Sequence, residues 1–331
     1  MSTTAQSEKQ ILATIVYYDI LDYPLTSFEI FLYLVNGNYE LRITNYELGD
    51  VCDLLNNSEY LKKYISQKYG FYFLKKRENI VQQRLDRKKL ADQKWKKIKK
   101  IFWIMQVVPF MKMVLVSGSL ALGNSRKESD IDLIITAKKG KIWTVRTFVT
   151  LLTSILGVRR YKNKTEDKIC LNHYITDKSL KIPFESLYNA QSYLHLINVY
   201  NSKKDKELFR KFQEENKWIG KYVQNYEYSE LGSFRSIKRN KISGFVSGFF
   251  EFVFSEKIGD YFEKKLSQIQ SVRITKDPLY KKSGGRITIS GDQLEFHPGS
   301  HEADVIPEFN KRMEKLGLFE FANQKDSGLN V

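Results

Sequence analysis

The sequence predicts an α+β fold: a mixed sheet with flanking helices, preceded by a small helical unit that ends in a hairpin and followed by a helical region. Three observations predict it. Two short apolar, partly β-branched runs at 113–116 and 131–136 are typical of buried strands. Upstream, apolar residues recur at helical spacing from residue 11 onward. Downstream, a further helical pattern covers 245–270.

Length, composition and charge limit the class of protein. The 331 residues, 42% apolar and 28% charged, suffice for two domains with separate cores. The net charge of +16 favours a polyanionic partner, such as nucleic acid, a nucleotide or an acidic surface, without choosing among them. Cys52 and Cys170 are isolated in the sequence, so neither a disulfide framework nor a zinc cluster is indicated. We expect a cytoplasmic protein.

No membrane segment is predicted. Residues 1–10 are polar and lack the basic start and apolar stretch of a signal peptide. The apolar stretch at 142–158 is interrupted by Arg146, and the one at 242–254 is too short to span a bilayer. Both are expected to be buried helices.

Residues 1–77 are predicted to form a first unit of three helices and a hairpin. Its predicted elements are helices near 11–18, 28–35 and 45–56 and strands at 61–66 and 70–75. The sequence Asn36-Gly37-Asn38 is predicted to end the second helix. Three helices followed by a two-stranded hairpin resemble a winged-helix domain, a relative of the helix-turn-helix.

The charges of this first unit bear on whether it reads DNA. In a DNA-binding winged helix, the third helix enters the major groove and the hairpin contacts the backbone. Here the third helix carries Glu47, Asp50 and Asp53 and has no basic residue, which is unfavourable next to phosphates. The hairpin is basic, so DNA binding stays open. A protein-contact or scaffold role is favoured.

Residues 78–107 are predicted to be one long basic helix that links the units. The stretch 84–100 holds nine basic residues, among which only Asp86 and Asp92 are acidic. Such a run is typical of a solvated helix face. The alternative is a ridge that follows phosphates beside a catalytic cleft. Pro109 is expected to end the helix before the first strand of the sheet.

A glycine-serine turn and a pair of aspartates suggest the chemistry. Gly118 permits a tight turn and a close approach of ligand to backbone, and Ser119 is expected to cap a short helix that Gly123 ends. N–H groups at the start of such a helix can anchor phosphates. On the next strand Asp130 and Asp132 fall on one face. Two adjacent carboxylates repel each other, and Mg²⁺ between them would remove the repulsion and leave positions for phosphate oxygens.

This pattern, Gly118-Ser119, ten residues and then Asp130-Ile131-Asp132, resembles the small branch of the nucleotidyltransferase superfamily. The resemblance extends over residues 112–176 and implies a catalytic domain at 108–182. It implies a nucleoside triphosphate as donor and Mg²⁺ or Mn²⁺ as cofactor. The implied reaction moves a nucleoside monophosphate to a hydroxyl acceptor and releases pyrophosphate. The alternative is a turn with an incidental aspartate pair on a solvated strand.

The resemblance also implies roles for individual residues. The implied nucleotide-binding residues are Gly118, Ser119, Arg126 and Ser129, and the implied catalytic and metal-binding residues are Asp130 and Asp132. The family usually carries a third acidic residue on the following strand, predicted at 168–176. At that position this chain has Asn172, the third catalytic candidate, on one strand face with Cys170 and Tyr174. An amide oxygen can bind a metal but brings no charge, so a second metal would bind more weakly. Glu166 or Asp167 could take its place.

Residues 183–331 are predicted to form a helical C-terminal region with a terminal hairpin. The predicted elements are helices at 187–200, 206–222 and 245–270 and hairpin strands at 286–290 and 293–296. The aromatic residues of 245–270 are expected to be core, and the tail is expected to dock on the catalytic domain. His297 and His301 have no third ligand nearby in the sequence, and Pro298-Gly299 argues against a shared helix face. No metal site is therefore predicted there.

Two functions remain open on the sequence. The first is the metal-dependent nucleotidyltransferase, with a protein, an RNA or a small molecule as acceptor. The second is a nucleotide-sensing or DNA-associated protein built on a weakened transferase site, motivated by Asn172 and the winged-helix-like unit. No residue pattern selects the base of the nucleotide.

Overall fold

The computed structural model describes residues 3–37, 47–161, 164–202, 205–226, 235, 237, 240–278, 285–297 and 299–328. Among them the helices are α1 (Thr3–Ile20), α2 (Ser27–Leu32), α3 (Leu48–Asn57), α4 (Glu59–Tyr64), α5 (Asn79–Met105), α6 (Gly118–Leu122), α7 (Ile142–Ile155), α8 (Leu187–Leu194), α9 (Leu208–Glu215), α10 (Lys241–Val253), α11 (Glu256–Thr275) and α12 (Glu302–Lys315). The strands are β1 (Leu25–Thr26), β2 (Ile65–Lys68), β3 (Phe71–Leu74), β4 (Met111–Ser117), β5 (Ile131–Ala137), β6 (Ile169–Thr176), β7 (Ile197–Asn201), β8 (Arg286–Ile289) and β9 (Gln293–His297).

The N-terminal unit contains α1 to α4 and a three-stranded sheet in the order β1-β3-β2. Residues 61–64, predicted to begin a strand, are helical, because the Ser58 hydroxyl accepts a hydrogen bond from the Leu61 N–H at 3.0 Å and caps α4. The hairpin starts only at Ile65. α2 ends at Leu32, before the predicted stop at Asn36-Gly37-Asn38, of which Asn38 lies outside the described residues. The predicted start of the third helix at Asn45 also lies outside them.

The long basic helix α5 joins this unit to the rest of the chain, and part of its charge faces inward. Arg84 makes a bidentate ion pair with Glu29 at 2.7 and 2.8 Å. Arg87 donates to Asn124 at 3.1 Å, and the buried Lys94 donates to Asp167 at 2.9 Å. The other lysines of α5 are exposed, at 88, 89, 96, 97, 99 and 100. The prediction that the basic run is a solvated helix face is therefore confirmed only for these six lysines.

A six-stranded mixed sheet forms the centre, in the order β7-β4-β5-β6-β9-β8. Only the β5–β6 pair is parallel; the other neighbours are antiparallel. The coarse prediction of a mixed sheet with flanking helices is thus correct. β7, β8 and β9 all come from beyond residue 182. The predicted helix at 187–200 divides into α8 and β7, since the β-branched and aromatic residues of 197–200 form an edge strand against β4.

The two faces of the sheet belong to different cores. Ile131, Leu133 and Ile135 pack with Trp95, Ile98 and Phe102 of α5, and their cluster also includes residues of α7. On the opposite face Ile134 packs in a second cluster whose other strand members are Met113, Leu115 and Ile175. The even-numbered residues of β5, including Asp132, therefore face this second side.

The C-terminal elements depart from prediction in two ways. α12 packs on α1 of the N-terminal unit, where Arg312 pairs with Asp19 at 2.7 Å, while the β8–β9 hairpin joins the six-stranded central sheet. The predicted aromatic core of 245–270 is largely exposed, with Phe245 and Phe252 each 79% accessible. α10 buries its serine-rich side, at Ser243 and Ser247. In the described part of the chain, no helix is both long and apolar enough to cross a bilayer.

Candidate functional site

The glycine-serine corner lies directly against Asp132. Ser117, the last residue of β4, pairs with Asp132 of β5. Gly118 follows with φ +65°, and a β-carbon on it would stand 2.6 Å from Asp132 Oδ2. Glycine is required here for its backbone conformation and for lack of space. α6 begins at Gly118, so Ser119 lies in its first turn rather than at the N-cap, and Gly123 (φ +75°) ends the helix as predicted.

The two aspartates and Cys170 form a compact cluster. One possible ligand atom from each of the three lies within 4.8 Å of the others. All three side chains are half-buried. Burial, and next the charge of Asp130, raise the pKa of Asp132 to about 7. The surroundings therefore leave the negative charge of Asp132 uncompensated, which favours a cation.

A β-bulge in β6 changes which side chains face this cluster. Asp132 pairs with Cys170 and Ile134 with His173, so three residues of β6 span the distance of two on β5. The predicted alternation, with Cys170 and Tyr174 on one face, is therefore wrong. Tyr174 packs in the α5-side core, whereas His173 lies opposite Ile134 on the aspartate side.

Asn172 lies within this bulge and next to Asp132. Its amide nitrogen is 3.5 Å from Asp132 Oδ1 and 3.2 Å from Nδ1 of His297. The predicted third catalytic candidate is thus adjacent to the aspartate pair. Asp167, the suggested substitute, instead forms ion pairs with Lys94 and Lys97 of α5.

Arg160 is a site residue that the sequence did not reveal. Its guanidinium forms an ion pair with Asp130 and lies 3.6 Å from the Cys170 sulfur. In the sequence it is only a basic residue after an apolar helix. Its backbone N–H donates to the carbonyl of Ile169, at the start of β6, and this contact holds the side chain at the site.

Ser129 and Arg126 have contacts other than the predicted ones. The Ser129 hydroxyl accepts a hydrogen bond from the Arg126 N–H at 2.9 Å and closes the turn before β5. The Arg126 guanidinium is 3.5 Å from Asp22 of the N-terminal unit. Within the described ranges, neither side chain makes a hydrogen bond or ion pair to Asp130 or Asp132.

The donor atoms at the site fit a hard divalent cation. Asp130 and Asp132 offer carboxylate oxygens, and Asn172 carries an amide oxygen that could add a neutral ligand. The remaining neighbour, Cys170, is a poor ligand because burial raises the pKa of its thiol, which stays protonated at neutral pH. Mg²⁺ or Mn²⁺ suits this set better than a soft metal.

Comparisons of the chain with protein-family models, with curated proteins and with solved structures found no match.

Proposed function

We propose that this chain is a nucleotidyltransferase of the family that its Gly-Ser and Asp-x-Asp motif resembles. It would bind a nucleoside triphosphate with Mg²⁺ or Mn²⁺ and transfer the nucleoside monophosphate to a hydroxyl acceptor. The observation that carries the proposal is the contact between Gly118 and the Asp132 carboxylate, with Asp130 beside it. The proposed phosphate anchor and the proposed metal-binding pair are therefore neighbours.

Asp130 and Asp132 would hold the cation through one oxygen each, with Asn172 as a neutral neighbour. The bound cation would neutralise charge on the triphosphate and lower the pKa of the acceptor hydroxyl. The backbone N–H groups at Gly118 and Ser119, and the Ser119 hydroxyl, would hold the terminal phosphates. The five residues of α6 are too few to add a strong helix dipole.

In the reaction, the acceptor oxygen forms a bond to the α-phosphorus while the bond from that phosphorus to the pyrophosphate oxygen breaks. The acceptor proton passes to solvent, and pyrophosphate leaves as the anion. Arg160, already beside Asp130, would stabilise negative charge on the phosphates. The side chains of this site act through alignment and charge, with no covalent intermediate required.

The acceptor and the base of the nucleotide stay open. For the location in the cell we propose the cytoplasm. The net charge of +16 is compatible with an RNA or nucleotide acceptor, and a protein or small-molecule hydroxyl is equally consistent with the site. DNA binding by the N-terminal unit is not favoured, because α3 carries Asp50 and Asp53 and no basic residue.

Protection of Cys170 from alkylation tests nucleotide binding without knowledge of the acceptor. The chain has two cysteines, both half-buried, so Cys52 in the N-terminal unit is an internal control. We expect Mg²⁺ with a nucleoside triphosphate to slow iodoacetamide labelling of Cys170 about tenfold, because the ligand would cover the thiol, while labelling of Cys52 is unchanged. Peptide mass spectrometry measures both rates after long incubation at alkaline pH, because the raised pKa of Cys170 leaves only a small reactive thiolate fraction. Equal rates with and without ligand, for all four nucleotides, would argue against the site.

Two observations favour a nucleotide sensor without turnover as the second candidate. Asn172 brings no charge where the family has an acid, and Arg160 already neutralises Asp130. Both features would weaken the binding of a second metal ion. Release of pyrophosphate during incubation with a broad set of acceptors separates the candidates, since a sensor binds nucleotide and releases none.

The variant Asn172→Asp is expected to bind Mg²⁺ about tenfold more tightly, because a third carboxylate adds attraction for the cation next to Asp132. In chelator the same variant should be less stable than the parent, since three carboxylates then repel one another. Thermal unfolding with and without Mg²⁺ measures both effects, and Asn172→Ala is the control for loss of the amide. If Mg²⁺ affinity does not change, Asn172 is not at the metal.

A further inference from the structure

A second cluster of metal-ligating side chains lies beside the first, where the C-terminal hairpin joins the sheet. It consists of His173 of β6 with Glu295 and His297 of β9, and one ligand atom of each lies within 4.8 Å of the others. His173 and Glu295 are directly paired across β6 and β9. His297 follows Glu295 by two residues and shares its strand face. The sheet therefore supplies the third ligand that the sequence around His297 lacks.

Glu295 has an oxygen available for a ligand. Its side chain is fully buried, and Oε1 accepts two hydrogen bonds from Arg286, at 3.1 and 2.7 Å. Oε2 is buried and has no hydrogen-bond partner among the described residues. Leaving a buried carboxylate oxygen unpaired is unfavourable. A cation bound by the Glu295 carboxylate would remove this penalty.

The charges around the cluster also favour a cation. Arg286 is shared by two fully buried carboxylates, since its Nη1 lies 3.7 Å from Glu302 Oε2 as well. One positive charge thus faces two negative charges.

We propose that His173, Glu295 and His297 bind a divalent transition metal of the zinc class. Two imidazole nitrogens and one carboxylate oxygen are a usual donor set for Zn²⁺, and three protein ligands leave its fourth position open. Imidazole ligands disfavour Mg²⁺. This site goes beyond the proposed nucleotidyl transfer and does not depend on it.

Neighbouring groups would hold the ligands in place. Nε2 of His297 lies 3.6 Å from Glu295 Oε1, so Nδ1 is the nitrogen that faces the Asn172 amide, at 3.2 Å. Gln293 lies 3.4 Å from Nε2 of His173. These two amide contacts would limit rotation of the imidazole rings. Arg286 would do the same for Glu295.

Metal loading of the full chain tests the proposal. The protein is stripped with chelator, incubated with Zn²⁺ or Co²⁺ and dialysed; metal content and the visible Co²⁺ spectrum are then measured. We expect a single tightly held Zn²⁺ and the visible bands of four-coordinate Co²⁺. His297→Gln should weaken binding at least ~100-fold, whereas His301→Gln, at an exposed histidine four residues on, should bind like the parent.

Other outcomes would refute the proposed zinc site. The proposal is wrong if the parent protein retains no Zn²⁺, or if His297→Gln and His301→Gln lose Zn²⁺ binding equally. A loss in Asp132→Asn with none in His297→Gln would place the metal at the aspartate cluster instead. If His297→Gln fails to fold, diethylpyrocarbonate treatment of the parent gives the answer: Zn²⁺ must protect His297 while His301 still reacts.

Discussion

Replacing Asp132 by asparagine is expected to lower the rate of nucleotidyl transfer about a thousandfold or more, while the fold is kept. Asparagine has nearly the same shape but no charge, so the proposed cation at the Gly118 corner would lose a ligand charge. Asp130→Asn should act in the same direction. Pyrophosphate release measures the effect, and Asp86→Asn on the exposed side of α5 is the matched control. Full activity in both site variants would rule out the proposed role.

The same substitution is expected to stabilise the metal-free protein by about 1–2 kcal/mol at pH 8. Burial raises the pKa of Asp132 above that of an unfolded aspartate, so between about pH 4 and pH 7 the folded chain holds a proton that the unfolded chain has lost. The contribution of Asp132 to stability therefore falls as pH rises through this window. Asparagine has no ionisable group, so the variant lacks this pH-dependent loss of stability. Urea unfolding in chelator at pH 5 and pH 8 measures this, and a larger gain at pH 5 would contradict it.

Gly118→Ala is the second substitution with a large expected effect. Its new β-carbon would stand 2.6 Å from Asp132 Oδ2, and alanine at φ +65° costs roughly 1–2 kcal/mol. We expect the carboxylate to move and Mg²⁺-dependent nucleotide binding to weaken at least tenfold. The measurement is calorimetric titration with nucleoside triphosphate.

The chain offers a matched control for Gly118→Ala. Gly123 has φ +75°, but an added β-carbon there would meet only the flexible Lys88 side chain, at 3.3 Å. Gly123→Ala should therefore lose similar stability and keep nucleotide binding. Equal loss of binding in both variants would mean that backbone strain, rather than contact with Asp132, explains the result.

The sequence alone predicted those parts of the site whose geometry depends on residues close together in the chain. The Gly118 turn follows β4 and the aspartate pair stands at the start of β5, where simple alternation places Asp130 and Asp132 on one face. Their antiparallel pairing then brings Asp132 to the corner. The long helix α5 was predictable for a similar reason, because a continuous helical pattern ends at Pro109.

The rest depends on contacts between residues that are distant along the chain. The bulge in β6 shifts His173 to the aspartate side, and no periodicity within a single strand reveals a bulge. Arg160 and the partners of His297 are brought in by strand pairing and loop geometry. The exposure of Phe245 and Phe252 was missed because the polar side of α10 finds buried partners, so amphipathicity alone gave the wrong inner face.

Calorimetric titration of the full chain with each nucleoside triphosphate, with Mg²⁺ and again in chelator, decides whether the proposed site exists. We expect at least one triphosphate to bind only when the cation is present, and Asp132→Asn to abolish this binding. Absence of binding for all four, or binding that is unchanged in chelator and in Asp132→Asn, would show that the Gly118 corner and the aspartate pair do not form one metal-nucleotide site.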